Sequence, residues 1–281
     1  MTKILVTGSN GFIGKRLLAE LSLSSHKVTG ISSATGDIAD KDMWDKIPRQ
    51  DVVIHLAGLT FVPNSWKDPA EYLRVNTQGT IAVLEYCRKH GAKFIFFSSY
   101  LYGNPDKLPI PESADLQSLN PYALSKKLAE DISKFYSENF GVKVLIFRPF
   151  NIYGPNQASE FLIPFIIRQA IHENQIQVKD LSPRRDYIYI DDVVYAIIKG
   201  LNYNNAFGLF NLGSGQSYSV AEIIELIQAN LGKSLPVESS HETRQGEIMD
   251  TRADITKAEA ELKWTPRWSL ADGIAEILKR T

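Results

Sequence analysis

Residues 4–14 read ILVTGSNGFIG, and this stretch decides the fold. The apolar run at residues 4–7 predicts a buried strand, and it leads directly into three evenly spaced glycines, Gly8, Gly11 and Gly14. Glycine permits a tight turn, lets backbone N–H groups approach a ligand and lets the following helix pack closely on the strand. Because the N-terminus of a helix attracts negative charge, this turn predicts a binding site for a pyrophosphate.

The rest of the chain repeats the alternation of strand and helix patterns. Further strands are predicted at residues 27–32, 52–56, 93–98 and 143–148. Helices are predicted at residues 14–23, 71–90, 122–139, 161–173, 192–201 and 220–231. Apolar strands that alternate with amphipathic helices are typical of a parallel sheet covered on both faces.

The predicted fold class is therefore α/β, a doubly wound parallel sheet of the Rossmann type with a smaller C-terminal α/β domain. We expect residues 1–155 to form the dinucleotide-binding domain, with returning segments near residues 186–215. Residues 156–281 are expected to be mainly substrate-binding, since the regular rhythm of strands and helices changes after Gly154 and Pro155.

Composition and charge exclude several classes of protein. The 281 residues are 44% hydrophobic and 22% charged, which is typical of a globular chain and not of a disordered one. A net charge of −1 without a basic stripe argues against a nucleic-acid partner.

The single cysteine, Cys87, can form neither an internal disulfide nor a cysteine metal cluster. No apolar run approaches the roughly 18 residues of a membrane span, and no signal-like segment precedes the first strand. We therefore expect a cytoplasmic protein with no metal and no membrane partner.

The spacing Gly-x-x-Gly-x-x-Gly resembles that of the extended short-chain dehydrogenase/reductases, also called the NAD-dependent epimerase/dehydratase family. The resemblance covers nearly the whole chain, and includes GDIAD at residues 36–40, HLAG at 55–58 and NTQGT at 76–80. It implies an NAD or NADP cofactor. For Asn76, simple packing of its helix is an alternative interpretation. The residues that the resemblance assigns to the cofactor are Gly8, Asn10, Gly11, Phe12, Ile13, Gly14, Ser32, Asp37, Ile38, Leu56, Ala57, Gly58, Asn76 and Lys126.

The end of the second predicted strand departs from the pattern of NAD-specific family members. Those members usually carry an acidic residue there, which binds the ribose 2′-hydroxyl, whereas this chain has Ser32 and Ser33. A serine can accommodate a 2′-phosphate that a carboxylate would repel. We therefore favour NADP over NAD, and Lys15 or Arg16 would have to serve the phosphate because no arginine lies in the same turn.

Tyr122 and Lys126 are the candidates for proton transfer. They lie four residues apart and therefore on one face of a predicted helix. A free phenol has a pKa near ~10, but a lysine cation and an oxidised nicotinamide nearby would both favour the phenolate. Tyr122 can then exchange a proton with a sugar hydroxyl or ketone while hydride moves to or from the nicotinamide. Lys126 would also hold the nicotinamide ribose.

The sequence SSYLYG at residues 98–103 resembles the family motif Ser/Thr-x-x-Val-Tyr-Gly. The resemblance makes Ser98 the third catalytic residue, which hydrogen-bonds the reacting oxygen, while the doublet leaves Ser99 open as the alternative. Family dehydratases carry Asp-Glu directly after this position, where the chain has Ser99 and Tyr100, so elimination lacks its acid and base. Epimerase-reductases use a Cys/His pair that Cys87 cannot readily supply.

Four residues are assigned to the substrate. Asn151, within RPFNIYGP, resembles the family residue near the diphosphate, and Ser99 lies beside the reacting centre. Arg185 is the candidate contact for the nucleotide, and Arg244 is the candidate clamp for the diphosphate, which a guanidinium binds with paired donors. A solvated surface charge is the alternative for each arginine.

The local motifs resemble the GDP-4-keto-6-deoxymannose reductases most, and the UDP-sugar 4-epimerases share much of the pattern. The sequence therefore predicts an NAD(P)-dependent oxidoreductase that acts at C4 of a nucleotide-diphosphate sugar, as a 4-keto-6-deoxysugar reductase. The alternative is a nucleotide-sugar 4-epimerase of the UDP-glucose 4-epimerase kind. A 4,6-dehydratase and a non-catalytic dinucleotide-binding protein rank below both. The expected assembly is a homodimer.

Overall fold

The computed structural model describes residues 1–242 and 247–280. The strands are β1 (Lys3–Thr7), β2 (Lys27–Ile31), β3 (Val52–His55), β4 (Lys93–Phe97), β5 (Val144–Pro149), β6 (Asn151–Tyr153), β7 (Ile176–Val178), β8 (Arg184–Tyr189), β9 (Phe207–Leu212), β10 (Ser217–Ser219) and β11 (Val237–Ser239). The α-helices are α1 (Phe12–Leu21), α2 (Lys41–Asp45), α3 (Val62–Lys67), α4 (Pro69–Leu73), α5 (Gly79–His90), α6 (Pro121–Phe140), α7 (Leu162–His172), α8 (Ile190–Leu201), α9 (Val220–Leu231) and α10 (Leu270–Leu278). Two π-helical segments span Arg74–Gln78 and Ala258–Leu262.

Six parallel strands form the central sheet in the order β2-β1-β3-β4-β5-β9. Strands β3 and β5 are buried along their whole length, because helices cover both faces of the sheet. The chain runs outwards to β2 on one side of β1 and to β4 and β5 on the other side of β3. Ligands of doubly wound sheets bind at such a switch point, beyond the carboxyl ends of the strands. The prediction of a doubly wound α/β fold is confirmed.

The two faces of the sheet carry separate apolar layers. Helices α1 and α8 pack on one face, where Leu17, Val193 and Ile197 are fully buried. Helices α5 and α6 pack on the other, with Val83 and Ala129 in its core. Each fully buried aliphatic side chain of valine size or larger stabilises such a core by about 2 kcal/mol. Together the layers hold the strand ends in fixed positions.

A smaller lobe lies at the carboxyl end of the sheet. It contains the three-stranded sheet β10-β8-β6 and the two-stranded sheet β11-β7, with a core between α7, α9 and α10. Arg16 Nε on α1 donates to Asp191 Oδ1 on α8 over 2.6 Å. The carboxylate of Asp192 accepts hydrogen bonds from the backbone N–H groups of Arg267 and Trp268, over 2.9 and 3.1 Å. The first contact joins α1 to α8, and the other two connect the C-terminal residues to α8, which covers the central sheet.

The prediction of one continuous α-helix at residues 71–90 is wrong, because a π-helical segment interrupts it. The chain there forms α4, the π-helical segment Arg74–Gln78 and α5 in succession. A π-turn inserts one extra residue into a helix and shifts the register of its apolar face, but the segments on both sides keep a helical pattern, so a single helix is predicted across it. Within the described residues, no helix is long and apolar enough to span a membrane, and no group of three or more acidic, histidine or cysteine side chains is placed to bind a metal ion.

Candidate active site

The three catalytic candidates meet at the carboxyl end of β4. Ser98 is the first residue after this strand. Lys126 on α6 donates a hydrogen bond from Nζ to the carbonyl oxygen of Phe97, over 2.5 Å. The phenol of Tyr122, one turn earlier on the same helix, interacts with the side chain of Ser99. The structure therefore brings the predicted set together and includes both serines of the doublet.

Helix α6 presents these groups because of how it begins. Pro121 occupies its first turn, where the missing N–H costs nothing. Asn120 Oδ1 accepts a hydrogen bond from the backbone N–H of Ala123 over 2.8 Å and caps the helix. With the start fixed at this point, Tyr122 and Lys126 both face the strand end.

Burial changes the acidity of both catalytic groups. It raises the pKa of the Tyr122 phenol to about 12, although the hydrogen bond with Ser99 opposes the rise. Burial also lowers the pKa of Lys126 to about 8, against the favourable charge of Glu130. The stabilisation of the phenolate that is expected from Lys126 is thus opposed by burial of the phenol. A pKa of about 12 favours the protonated phenol at neutral pH.

Ser98 is buried, and within the described part of the chain its Oγ has no hydrogen-bond partner. A buried polar group without a partner costs about 1–3 kcal/mol. Such a group is commonly explained by a ligand or water that completes it. Ser98 directly follows β4, and an oxygen atom of a bound substrate is a candidate partner for its hydroxyl.

Asn76 ties the strand ends to the catalytic helix. Its Oδ1 accepts from the backbone N–H of Leu59 over 2.8 Å, and its Nδ2 donates to the Leu59 carbonyl and to Ser125 Oγ over 3.0 and 2.9 Å. Ser125 Oγ in turn donates to the carbonyl of Tyr122 over 2.8 Å. A Cβ at Gly58 would lie 2.9 Å from Asn76 Oδ1, so only glycine fits beside it. Asn76 thus does more than pack its helix.

The glycine turn after β1 is a tight backbone cradle. Gly8 has a φ of +68°, and a Cβ there would lie 2.8 Å from the backbone nitrogen of Ala57. A Cβ at Gly14 would lie 2.2 Å from the carbonyl oxygen of Gly8. Gly11 caps α1 without a side-chain hydrogen bond, so the first-turn N–H groups remain for an anion. Phe12 and Ile13 supply two of these groups, and the cradle fits a dinucleotide pyrophosphate.

The adenosine side of the cradle is polar and partly paired. Asn10 Nδ2 donates to Ser32 Oγ over 3.0 Å, which joins the glycine turn to the end of β2. The carboxylate of Asp37 accepts from the backbone N–H of Ala39 and from Arg74, over 2.9 and 2.6 Å, and both interactions hold its pKa below the usual range. Ile38 packs directly over the start of α5, where a Cβ at position 79 would lie 2.8 Å from its Cγ2.

The two cations considered for a 2′-phosphate have different surroundings. Arg16 is engaged by Asp191 and, over 3.0 Å, by Glu20, so it is committed to joining α1 to α8. Lys15 lines a cavity of ≈ 660 Å³ together with Asn10 and Gly11. Arg16 lines the same cavity but is held by two carboxylates, so Lys15 is favoured over Arg16 as the contact for a 2′-phosphate.

On the substrate side, Asn151 lies between the two lobes. Its Nδ2 donates to the carbonyl of Asp186 over 3.1 Å, and its Oδ1 accepts from the hydroxyl of Tyr100 over 3.3 Å. The ring of Tyr100 stacks on Phe150 at 5.0 Å. Tyr100 therefore places an aromatic ring at the position where the family dehydratases carry an acidic residue.

Arg185 is largely buried and already has an acidic partner. Its guanidinium pairs with the carboxylate of Glu247 and donates to the carbonyl of Ile248. A third hydrogen bond runs to the carbonyl of Arg184 over 2.8 Å. The interpretation as a solvated surface charge is therefore wrong for Arg185, whereas Arg244 lies outside the described residues.

The NAD-dependent epimerase/dehydratase family model matches residues 4–213. The chain belongs to this family. It is therefore an NAD(P)-dependent enzyme, and the matched range includes the glycine cradle and the Tyr122–Lys126 pair.

Relatives within the family act on nucleotide sugars. A GDP-6-deoxy-D-mannose reductase from Pseudomonas aeruginosa is 31% identical, with 98% of this chain and 96% of the relative covered. The structure of RMD from the same organism, in complex with NADPH, matches with a TM-score of 0.91 and 30% identity over 99% of this chain and 98% of the other. A UDP-glucose 4-epimerase from Thermotoga maritima, solved with UDP-glucose, matches with a TM-score of 0.91 and 27% identity over 99% and 97% of the two chains. The prediction of a nucleotide-sugar epimerase or reductase family is confirmed.

Three long-range pairings in this chain were not predicted from the sequence. Arg74 binds Asp37, Glu247 binds Arg185, and Asp186 accepts backbone N–H groups from three separate positions. Each bond joins residues that are 28 or more positions apart. Only Asp186 carried a local signal, because it follows Arg185 in the segment assigned to the substrate side.

Proposed function

We propose that this enzyme is a 4-keto-6-deoxysugar reductase that acts at C4 of a nucleotide-diphosphate sugar. The observation that carries the proposal is the neutral Asn10–Ser32 pair at the ribose end of the cradle. A carboxylate there would help to retain NAD through many turnovers. A reductase must instead release its oxidised cofactor after each turnover, and the neutral pair with Lys15 nearby suits NADPH.

The protonation state of Tyr122 also supports reduction of a 4-keto group. A bound NADPH would supply the hydride to C4. The raised pKa of Tyr122 keeps the phenol protonated, so it can donate its proton to the carbonyl oxygen as that oxygen gains charge. Ser98 Oγ would hydrogen-bond the same oxygen, and Lys126 would hold the nicotinamide ribose while its charge favours loss of the phenolic proton.

Binding of the nucleotide is assigned to the groups of the smaller lobe. Arg185 and Asn151, with Arg244 from the sequence analysis, are proposed to contact the nucleotide and diphosphate, because guanidinium groups bind phosphate with paired donors. Ser99 is proposed to lie against the sugar. In this scheme residues 1–155, with the returning strand β9, bind the dinucleotide, and residues 156–281 mainly bind the substrate.

A nucleotide-sugar 4-epimerase is the second candidate. The match to the Thermotoga maritima 4-epimerase, with the same TM-score as the match to RMD, favours it. A 4,6-dehydratase is disfavoured because Ser99 and Tyr100 supply neither an acid nor a base. A non-catalytic role would not require Ser98, Tyr122 and Lys126 at one strand end.

A direct assay separates the two candidates. Oxidation of NADPH is followed with GDP-, dTDP- and UDP-linked 4-keto-6-deoxysugars, beside interconversion of UDP-glucose and UDP-galactose without added cofactor. Stoichiometric oxidation with one ketosugar is the expected result. Interconversion together with no oxidation would replace the reductase with the epimerase.

The assembly is proposed to be a homodimer, and the cytoplasmic location stays a prediction. Leu124, Leu128 and Phe135 are 39%, 36% and 52% exposed on one face of α6, where a second copy of the same helix could cover them. The neighbouring pairs Lys127–Asp131 and Lys134–Glu138 give that face balanced charge. Light scattering should give twice the monomer mass for the wild type and the monomer mass for Leu128→Glu.

A further inference from the structure

A buried hydrogen-bond chain runs beneath the cofactor cradle. His55, the last residue of β3, is 1% exposed. Its Nδ1 lies 2.8 Å from Thr7 Oγ1, and its Nε2 lies 3.3 Å from Thr80 Oγ1. Thr7 Oγ1 also accepts from the backbone N–H of Ala57 over 3.1 Å. Thr80 Oγ1 donates to the backbone carbonyl of Asn76 over 2.6 Å.

The hydrogen bonds of the two threonines determine which atom donates at each step of this hydrogen-bond chain. The single hydroxyl proton of Thr80 is used on the Asn76 carbonyl, so His55 must donate to Thr80 from Nε2. Nδ1 is then an acceptor, and it receives the hydroxyl proton of Thr7. The chain therefore runs in one direction, from the Ala57 N–H through Thr7, His55 and Thr80 to the Asn76 carbonyl.

The surroundings of His55 keep its ring neutral. Phe94 and Phe96 lie with ring centroids 5.8 Å from the imidazole. The Lys126 ammonium lies 4.5 Å from the centroid of the Phe96 ring. Burial, and secondarily this positive charge, lower the pKa of His55 to about 3. A charged imidazole would have two donors and would break the bond from Thr7.

Each end of the chain supports a different part of the active site. At one end, Ala57 packs against Gly8, within 2.8 Å of where a Cβ would stand, so Thr7 sets the wall of the pyrophosphate cradle. At the other end, the Asn76 backbone carries the side chain that clamps Leu59 to the catalytic helix. The π-helical turn at Asn76 is the kind of local irregularity that often marks functional sites.

We propose that Thr7, His55 and Thr80 form a positioning chain whose Thr7 end sets cofactor affinity and whose Thr80 end sets the alignment of Tyr122. None of the three residues donates to substrate, and each acts through the backbone it holds. The alignment of Tyr122 matters to turnover through the proposed reaction, so that part rests on the proposed function, whereas the cofactor part rests on the family's NAD(P) binding alone.

Two pairs of variants of the full chain test the two ends. Thr7→Val and Thr80→Val keep the side-chain shape and remove the hydroxyl, and Thr7→Ser and Thr80→Ser keep the hydroxyl as matched controls. We expect Thr7→Val to weaken NADPH binding about tenfold and to speed hydrogen exchange at the Ala57 amide, with Thr7→Ser near wild type.

Thr80→Val is expected to lower kcat about tenfold, with NADPH affinity within about twofold of wild type, and to speed exchange at the Leu59 amide. Thr80→Ser should restore both. The proposal would be contradicted by equal losses of affinity and kcat in both Val variants, by no change in either variant, or by Ser controls that do not restore the wild-type values. If no ketosugar is reduced, the proposed function fails, and the NADPH affinity and the two amides still decide this proposal.

Nitrogen NMR of the His55 ring in the wild-type protein provides a test that needs no variant. The expected spectrum is that of a neutral ring protonated at Nε2, unchanged between about pH 5 and about pH 8. A ring protonated at Nδ1, or one that titrates in this interval, would contradict the assigned direction of the chain.

Discussion

The cofactor half and the substrate half of the active site differ in how completely the protein itself satisfies their polar groups. Beneath the cradle, His55 and the two threonines exchange all their hydrogen bonds with protein groups. On the substrate side, Ser98 Oγ has no partner among the described residues, and Arg185 is paired with the carboxylate of Glu247, which we propose that an anionic group of the substrate displaces.

This difference indicates that the two halves of the site are preorganised to different degrees. The cradle must hold a constant ligand, and a fully bonded scaffold reduces the entropy lost when that ligand binds. The substrate half must bind and release a sugar nucleotide in each turnover, so its groups obtain their final partners from the ligand. Variants in the two halves should therefore change different constants.

The largest effect is expected for Tyr122→Phe. Loss of the phenolic proton should lower kcat about 10²- to 10⁴-fold, while NADPH affinity should stay within about twofold because the ribose contact is assigned to Lys126. Steady-state kinetics with the ketosugar, beside calorimetric titration with NADPH, measures both. Retention of most of the activity would show that Tyr122 is not the proton donor.

Arg185→Ala should raise the KM for the nucleotide sugar about tenfold or more, because a charge-assisted contact to phosphate is lost, and should leave NADPH affinity unchanged. Arg184→Ala is the matched control, since its side chain pairs with Glu222 over 3.0 Å at a half-exposed site. Equal increases in KM for the two variants would remove Arg185 from the substrate site.

The ribose end of the cradle gives a smaller effect. The wild type should bind NADPH at least as tightly as NADH, since no carboxylate opposes the phosphate. Ser32→Asp should weaken NADPH relative to NADH about tenfold by like-charge repulsion, whereas the same charge at the exposed neighbour, Ser33→Asp, should change the ratio less. A tenfold preference of the wild type for NADH would contradict the interpretation of Ser32.

The last prediction concerns the stability of the cofactor half in acid. The pKa of His55 is lowered from 6.5 to about 3 in the folded protein, so the unfolded chain binds the extra proton as pH falls below 6.5. The stability that depends on the neutral ring is present above this pH, and about 1.4 kcal/mol should be lost per pH unit between pH 6.5 and about pH 3. Urea unfolding of the wild type should show a steeper acid dependence than that of His55→Asn. Parallel curves would show that His55 titrates normally.

The sequence predicted the parts of this protein that local patterns encode. The glycine spacing at residues 8–14 predicts the cradle because turn geometry depends on neighbouring residues. The interval between Tyr122 and Lys126 places both on one helix face by helical geometry alone. The strand before Ser98 predicts a hydroxyl at the edge of the sheet, because the carboxyl ends of parallel strands lie at one edge.

Only the tertiary structure decided which partners these groups have. Thr7 and Thr80 lie 48 and 25 positions from His55, and no periodicity relates residues at such distances. The tautomer of His55, the engagement of Arg16 by Asp191 and the break in the helix at Arg74–Gln78 all depend on which elements pack together. The sequence by itself thus determined the fold class and the chemical groups of the site, since these follow from short-range geometry and burial. Packing between distant segments determined their protonation and their pairing.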